Sequence, residues 1–156
     1  MGVMIKAFAA VLALAVLAGP LASCGPQTAA AVGAFKVEHA VFTPPAGLHG
    51  VTAGYFTLQN TGEADTLLSV STPVASSVEM HESTMENGMM AMKRLDKVEV
   101  PTGGIVAFEP GGKHLMMFGV KSDIALGSQA TFTLTFAKAG RKEYTFMVAA
   151  LGEMAP

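Results

Sequence analysis

Residues 129–138 read QATFTLTFAK, and this stretch decides the fold class. Its apolar side chains alternate with threonines, and this period of two is typical of a β-strand with one buried face. The apolar set is Ala130, Phe132, Leu134 and Phe136. Gly140 favours a turn, and residues 144–148 then alternate in the same way. The sequence therefore predicts a β-hairpin here.

Outward from this hairpin, similar short runs recur from Phe35 onward, separated by Gly, Pro, Asn and Asp. The other predicted strands are residues 35–43, 51–60, 66–72, 77–84, 89–95, 97–100, 105–109 and 114–120. No run in this part of the sequence keeps a helical period for three turns. We expect a single all-β domain, a Greek-key sandwich or barrel of about eight or nine strands.

The first 24 residues indicate export. Lys6 precedes an apolar run at residues 7–18, and Gly19 and Pro20 end it. Such a run is too short for a membrane-spanning helix and is typical of a signal peptide. Residues 21–24, LASC, resemble the bacterial lipobox, in which the cysteine is lipidated and becomes the first residue of the mature chain. Ordinary cleavage at a nearby small residue is the alternative.

These features divide the chain into four predicted segments. They are a lipoprotein-type signal peptide at 1–23, a flexible tether at 24–34 that begins with lipidated Cys24, the β-domain at 35–151 and a short tail at 152–156. We expect the protein in the periplasm or cell envelope, held to a membrane by the lipid on Cys24.

Composition excludes several classes of function. Of the 156 residues, 51% are hydrophobic and 14% charged, and the net charge is -2, with no basic face for nucleic acid. Cys24 is the only cysteine, so thiol catalysis and blue-copper electron transfer lack their sulfur ligand in the domain. We find no Ser-His-Asp signature and no phosphate loop, and we expect a protein that is not an enzyme.

Methionine is concentrated in one segment, together with two of the four histidines. The segment contains Met80, Met85, Met89, Met90, Met92, Met116 and Met117, and also His81 and His114. Methionine commonly fills gaps in a core, which is the alternative interpretation for each of them. Thioether and imidazole together, however, are a ligand set that suits Cu(I).

Local geometry indicates which of these side chains share a face. Asn87-Gly88 predicts a two-residue hairpin turn, which sets Met92 opposite Ser83 and diagonal to His81. Met85 and Met90 then lie on the same face nearer the turn, as auxiliary metal ligands, a site rim or a contact surface for an acceptor.

The second half of the candidate site lies on a later strand. His114 and Met116 are two residues apart and project to one side, while Leu115 and Met117 enter the core. Met80 is also expected in the core. The predicted metal ligands are His81, Met92, His114 and Met116. The remaining histidines, His39 and His49, are expected at the surface or in turns.

The spacing of these four residues resembles the signature of the PCu(A)C-type periplasmic copper chaperones. Ten residues separate His81 from Met92, twenty-one separate Met92 from His114, and one separates His114 from Met116. The flanking sequences EMHE at 79–82, EPGGKHLMMFG at 109–119 and GYFTLQN at 54–60 are also similar to family blocks. The similarity covers roughly residues 35–148.

The resemblance implies a cupredoxin-like β-sandwich that binds one Cu(I) through His81, Met92, His114 and Met116. It further implies delivery of copper to the dinuclear centre in the copper subunit of cytochrome c oxidase, often alongside Sco-type proteins. Two features depart from some family members. Glu82 stands where a methionine can follow the first histidine, and the C-terminus lacks a His/Met-rich extension.

Three other functions remain open from the sequence. A copper-buffering or resistance protein would use the same His2Met2 site to scavenge metal. An electron-transfer domain would need a cysteine ligand, and a structural sandwich would make the motif a coincidence. We expect a monomer with no nucleic-acid partner.

Overall fold

The computed structural model describes residues 34–45 and 50–150, which form ten β-strands. In chain order they are β1 (Phe35–Phe42), β2 (Thr52–Asn60), β3 (Asp65–Ser71), β4 (Ser77–Glu86), β5 (Met89–Leu95), β6 (Val98–Val100), β7 (Ile105–Phe108), β8 (Lys113–Phe118), β9 (Gln129–Phe136) and β10 (Gly140–Val148). The all-β prediction is confirmed, with ten strands instead of eight or nine. Within the described ranges no helix is long and apolar enough to cross a membrane.

The strands form one sheet that curls into a nearly closed barrel. Their order is β5-β4-β8-β7-β2-β1-β10-β9-β3-β6, and β8 also pairs with β2. Sequential neighbours β9 and β10 form the predicted hairpin, in which Gly140 has a φ of 69° and pairs with Phe136. By contrast, β4 pairs with β8 across a long stretch of chain. That non-local pairing brings the two halves of the candidate site together.

The core lies inside the barrel and follows the alternation of the strands. On β9 the apolar residues predicted to share a face are all buried, and the stacked rings of Phe132 and Phe146 have centroids 4.0 Å apart. Met80 and Met117 are 4% and 0% exposed, so the prediction that both enter the core is confirmed. The methionine cluster is therefore divided between core packing and the outer surface.

Asp65, at the start of β3, is hydrogen-bonded to the backbone of the β9–β10 turn. Its carboxylate accepts backbone N–H hydrogen bonds from Thr66 at 2.7 Å, Lys138 at 2.9 Å and Ala139 at 2.8 Å. Burial raises the pKa of Asp65, but these hydrogen bonds and the charge of Lys138 lower it by more, so the pKa lies below its usual 3.8. The ionised carboxylate thus stabilises the fold.

We expect Asp65→Ala to lower the free energy of unfolding at pH 7 by about 3 kcal/mol, because buried N–H groups lose their acceptor. Since folding lowers the pKa of Asp65, its contribution is complete above the unfolded pKa and is lost as pH falls through the folded value. The free energy of unfolding, measured with urea, should therefore differ less between wild type and Asp65→Ala at pH 2.5 than at pH 7. Exposed Asp123→Ala is the control. Equal losses for the two variants would contradict this role.

Candidate metal centre

Three adjacent strands, β5, β4 and β8, carry the predicted ligands, and their register puts all four on one face. His81 is the Cα partner of His114, Met116 is opposite Glu79, and Met92 is opposite Ser83. The predicted hairpin register is therefore confirmed. Side chains of the alternate residues Met80, Leu115 and Met117 fill the core. Because successive side chains point to opposite faces, the candidate site lies on the outer face of the barrel.

The two histidines form the centre of this group. Their ring centroids are 6.0 Å apart and the ring planes are inclined by 40°. Imidazole binds metals such as Zn²⁺ at about 2 Å, so two rings that share one ion have centroids separated by about 5 Å at a tetrahedral angle and about 6 Å when the ion lies nearly in line between them. His114 is only 7% exposed, so its ring is held by the surrounding protein. The spacing fits a single ion between the rings.

Hydrogen bonds determine which nitrogen each ring can offer to a metal. Nε2 of His81 lies 2.9 Å from Oε2 of Glu79, and Nδ1 of His114 lies 3.1 Å from the carbonyl oxygen of Gly112. A carboxylate and a carbonyl only accept, so each of these nitrogens carries the proton. In the neutral rings, the lone pairs are therefore on Nδ1 of His81 and Nε2 of His114.

The Nδ1 atom of His81 is the one buried side-chain polar atom without a hydrogen-bond partner among the residues the structure describes. A buried nitrogen without a partner costs free energy, and such atoms in native proteins often mark a ligand. A metal ion would use this lone pair. The imidazole and thioether side chains thus fit a metal ion, which would bind Nδ1 of His81, the nitrogen that lacks a hydrogen-bond partner.

Glu79 links His81 to a second charged residue. Besides the hydrogen bond from His81, its carboxylate accepts one from Arg94 at 2.8 Å. The hydrogen bond from His81 lowers the pKa of Glu79 and the charge of Arg94 lowers it further, although burial opposes them. An ionised carboxylate behind a histidine fixes its tautomer and ring orientation, as in many metal sites. The sequence interpretation missed this role for Glu79, although its position two residues before His81 on the same strand face was a usable signal.

The two candidate thioethers differ in position. Met116 is half-buried beside His114 on β8, whereas Met92 on β5 is 61% exposed. Met116 is opposite Glu79 of β4 and Met92 is opposite Ser83, so the two methionines are on the two neighbours of β4 and on opposite sides of His81. In a flat sheet their Cα atoms would be about 16 Å apart. The described structure thus gathers His81, His114 and Met116. Met92 stands at the edge and needs the hairpin to bend inward to join them.

The β4–β5 hairpin extends beyond the barrel and exposes three more methionines. Asn87 and Gly88 have φ values of 53° and 78°, which form the predicted turn. Met85 is paired with Met90 on the site face, at exposures of 69% and 70%. Met89 is 71% exposed and lies on the opposite face, beside Glu86.

Other candidate metal ligands lie elsewhere. His39 is exposed at a bulge of β1 with a φ of 51°, away from the site, and His49 and Cys24 fall outside the described residues. Across residues 34–45 and 50–150, no group of three or more His, Cys, Asp or Glu could hold a metal ion.

A family model matches most of the chain, and the curated relatives match about half of it. The family model described as "Putative lipoprotein LpqE-like" matches residues 35–148. "Putative lipoprotein Lxx21020" of Leifsonia xyli subsp. xyli is 30% identical over 90 residues, covering 56% of this chain and 54% of that protein. "Uncharacterized protein RP573" of Rickettsia prowazekii is 31% identical over 87 residues, covering 54% and 48%. The chain thus spans about half the length of the curated relatives it matches.

Solved structures with the same fold include copper-bound domains. The "Copper-bound PCuAC domain from PmoF2" is 28% identical with a TM-score of 0.61, covering 77% of this chain and 96% of that chain. The Cu(I) form of DR1885 from Deinococcus radiodurans is 26% identical with a TM-score of 0.58, covering 83% and 86%. The cupredoxin-like barrel expected from the sequence motif is therefore confirmed.

Proposed function

Because the chain belongs to the LpqE-like lipoprotein family, which is the family of the PCuAC domains, we propose that it is an exported copper chaperone. One Cu(I) ion is its cargo. The ion is bound by Nδ1 of His81, Nε2 of His114 and the thioether of Met116, with Met92 as the fourth ligand. The observation that carries this proposal is the partnerless Nδ1 of His81 beside the ring of His114.

The donor set selects the metal and its oxidation state. Imidazole and thioether donors are neutral, and soft sulfur favours Cu(I) over Zn²⁺ or Mg²⁺. Cys24 is the only cysteine in the sequence, and the proposed site uses no thiolate ligand. This matters because an oxidising compartment would convert a thiolate to a disulfide or a sulfenic acid. These ligands therefore suit a protein that carries Cu(I) outside the cytoplasm.

The position of the site suits transfer of the ion. It lies on the outer face of the sheet, with a buried histidine on one side and the exposed Met92 on the other. Replacement of Met92 by a donor from an acceptor protein would open the coordination shell while His81, His114 and Met116 still hold the ion. The protein acts as a carrier in this proposal and catalyses no reaction.

We assign the delivery step to assembly of the dinuclear copper centre in cytochrome c oxidase, with Sco-type proteins as partners. The support is the match to the family motif over His81, Met92, His114 and Met116. A lipid on Cys24 and a tether at 24–34 would keep the domain near a membrane where such an acceptor resides. Copper buffering by the same site is the alternative function.

Growth experiments separate delivery from buffering. In a strain that lacks the protein, we expect oxidase activity to fall several-fold when copper is scarce and to recover when copper is added. The wild-type and Met89→Leu proteins should restore activity, because Met89 faces away from the site. His114→Ala should not. Unchanged oxidase activity at scarce copper, combined with sensitivity to excess copper, would favour buffering and contradict delivery.

A further inference from the structure

The tip of the β4–β5 hairpin carries more exposed methionine than the fold needs. Met85, Met89 and Met90 have exposures of 69–71%, and Met92 is 61% exposed. Methionine in soluble domains is mostly a packing residue, and an exposed thioether contributes little to the stability of a hairpin. Packing therefore does not explain why these side chains are methionines.

Three of the four methionines share one face at short range. Met85 and Met90 are direct cross-strand partners, with Cα atoms about 5 Å apart. Met92 follows Met90 by two residues, about 7 Å along the strand, and is diagonal to Met85. Each thioether stands on a chain with three rotatable bonds, so the three sulfur atoms can meet at one point above the face.

Near the turn, the residues beside these three sulfur atoms are neutral. Between the turn and Met92, the other residue on this face is Ser83. Beyond Met92 the face continues with His81 and with Arg94, whose guanidinium is paired with Glu79 at 2.8 Å. The ion pair of Glu82 with Lys113 lies on the opposite face. In the part of this face from the turn to Met92, the described residues include no carboxylate and no imidazole that could bind a hard cation. Three neutral sulfur donors favour soft monovalent ions, Cu(I) and its chemical analogue Ag(I).

We propose that Met85, Met90 and Met92 form a second, all-thioether site for one soft monovalent ion. It is weaker than the His81–His114 centre because it offers no imidazole and orders three mobile side chains. Met92 belongs to both sites. It is diagonal to His81 on one side and follows Met90 on the other. If the ion is exchanged with a partner, as the proposed function requires, it enters and leaves through this tip.

Silver titration tests the second site separately from the first. Purified wild-type protein with isotope-labelled methionine methyl groups is titrated with Ag(I) and followed by NMR. We expect two successive binding events. The first depends on His81 and His114, and the second shifts the methyl signals of Met85, Met90 and Met92 and leaves that of Met89 unchanged.

Three variants distinguish the possible outcomes. Met85→Leu combined with Met90→Leu should weaken the second event at least tenfold and keep the first. Met89→Leu, with the same exposure on the other face, should keep both. His81→Ala combined with His114→Ala should keep only the tip event. The proposal is overturned if the second event is absent, or if Met89→Leu weakens it as much as the double leucine variant. Loss of the first event alone would contradict the proposed function and leave the tip site standing.

Discussion

His114→Ala is expected to weaken Cu(I) binding by more than about 100-fold. Loss of a group that merely orients a ligand commonly costs 10–100-fold in metal affinity, and His114 is placed as a direct ligand. Its ring is 7% exposed and its Nδ1 is hydrogen-bonded to the carbonyl oxygen of Gly112, so the ring is already oriented for an ion. Anaerobic competition against a chromophoric Cu(I) chelator measures the affinity.

A graded series of variants makes this test specific. Met92→Leu should lower the affinity by less than His114→Ala, because Met92 is exposed and lies far from Met116 along the sheet. Met89→Leu should have no effect on this site. Circular dichroism confirms that each variant is folded. A His114→Ala protein that is folded and keeps wild-type affinity would contradict the assigned ligands.

The largest loss of stability is expected from Phe132→Ala. The ring of Phe132 is fully buried, stacked on Phe146 at 4.0 Å and tilted against Phe42 at 5.4 Å. Removal of a buried phenylalanine costs about 3–5 kcal/mol, since burial is lost and a cavity is left. Domains of this size are stable by about 5–15 kcal/mol, so the variant should be close to unfolding.

Urea unfolding measures this loss, with Thr131→Ala on the same strand as the control. Thr131 is exposed, and its replacement should change the free energy of unfolding by less than about 0.5 kcal/mol. A similar midpoint for Phe132→Ala and wild type would mean that the β9–β10 hairpin does not form the core.

Much of this architecture could be predicted from the sequence because it depends on local rules. The alternation in residues 129–138 predicted β9 and its buried face, and Asn87-Gly88 predicted the register of the β4–β5 hairpin. Both features follow from contacts between neighbours in sequence. The short strands β6 and β7 have three and four residues. Both lie within the predicted runs 97–100 and 105–109, so every strand corresponds to a predicted run, and only the expected total of eight or nine was too low.

The pairing of β4 with β8, by contrast, does not follow from local sequence patterns. It joins His81 to His114 across the intervening hairpin and two further strands, and no local pattern dictates such a pairing. The family motif linked these residues, but only the register shows that they are directly opposite each other. The role of Glu79 also depends on this arrangement, because its partner Arg94 comes from β5. Lipidation of Cys24 concerns residues outside the described part of the chain and stays a prediction.

X-ray absorption of the protein loaded with one equivalent of Cu(I) tests the central claim most directly. Nitrogen and sulfur scatter differently, so the spectrum counts both kinds of ligand around the ion. We predict two nitrogen and one or two sulfur neighbours in the wild-type protein, and a shell without nitrogen when His81 and His114 are both alanine. A wild-type shell that lacks sulfur, or one that keeps both nitrogens in the double variant, would contradict a site built from these imidazoles and thioethers.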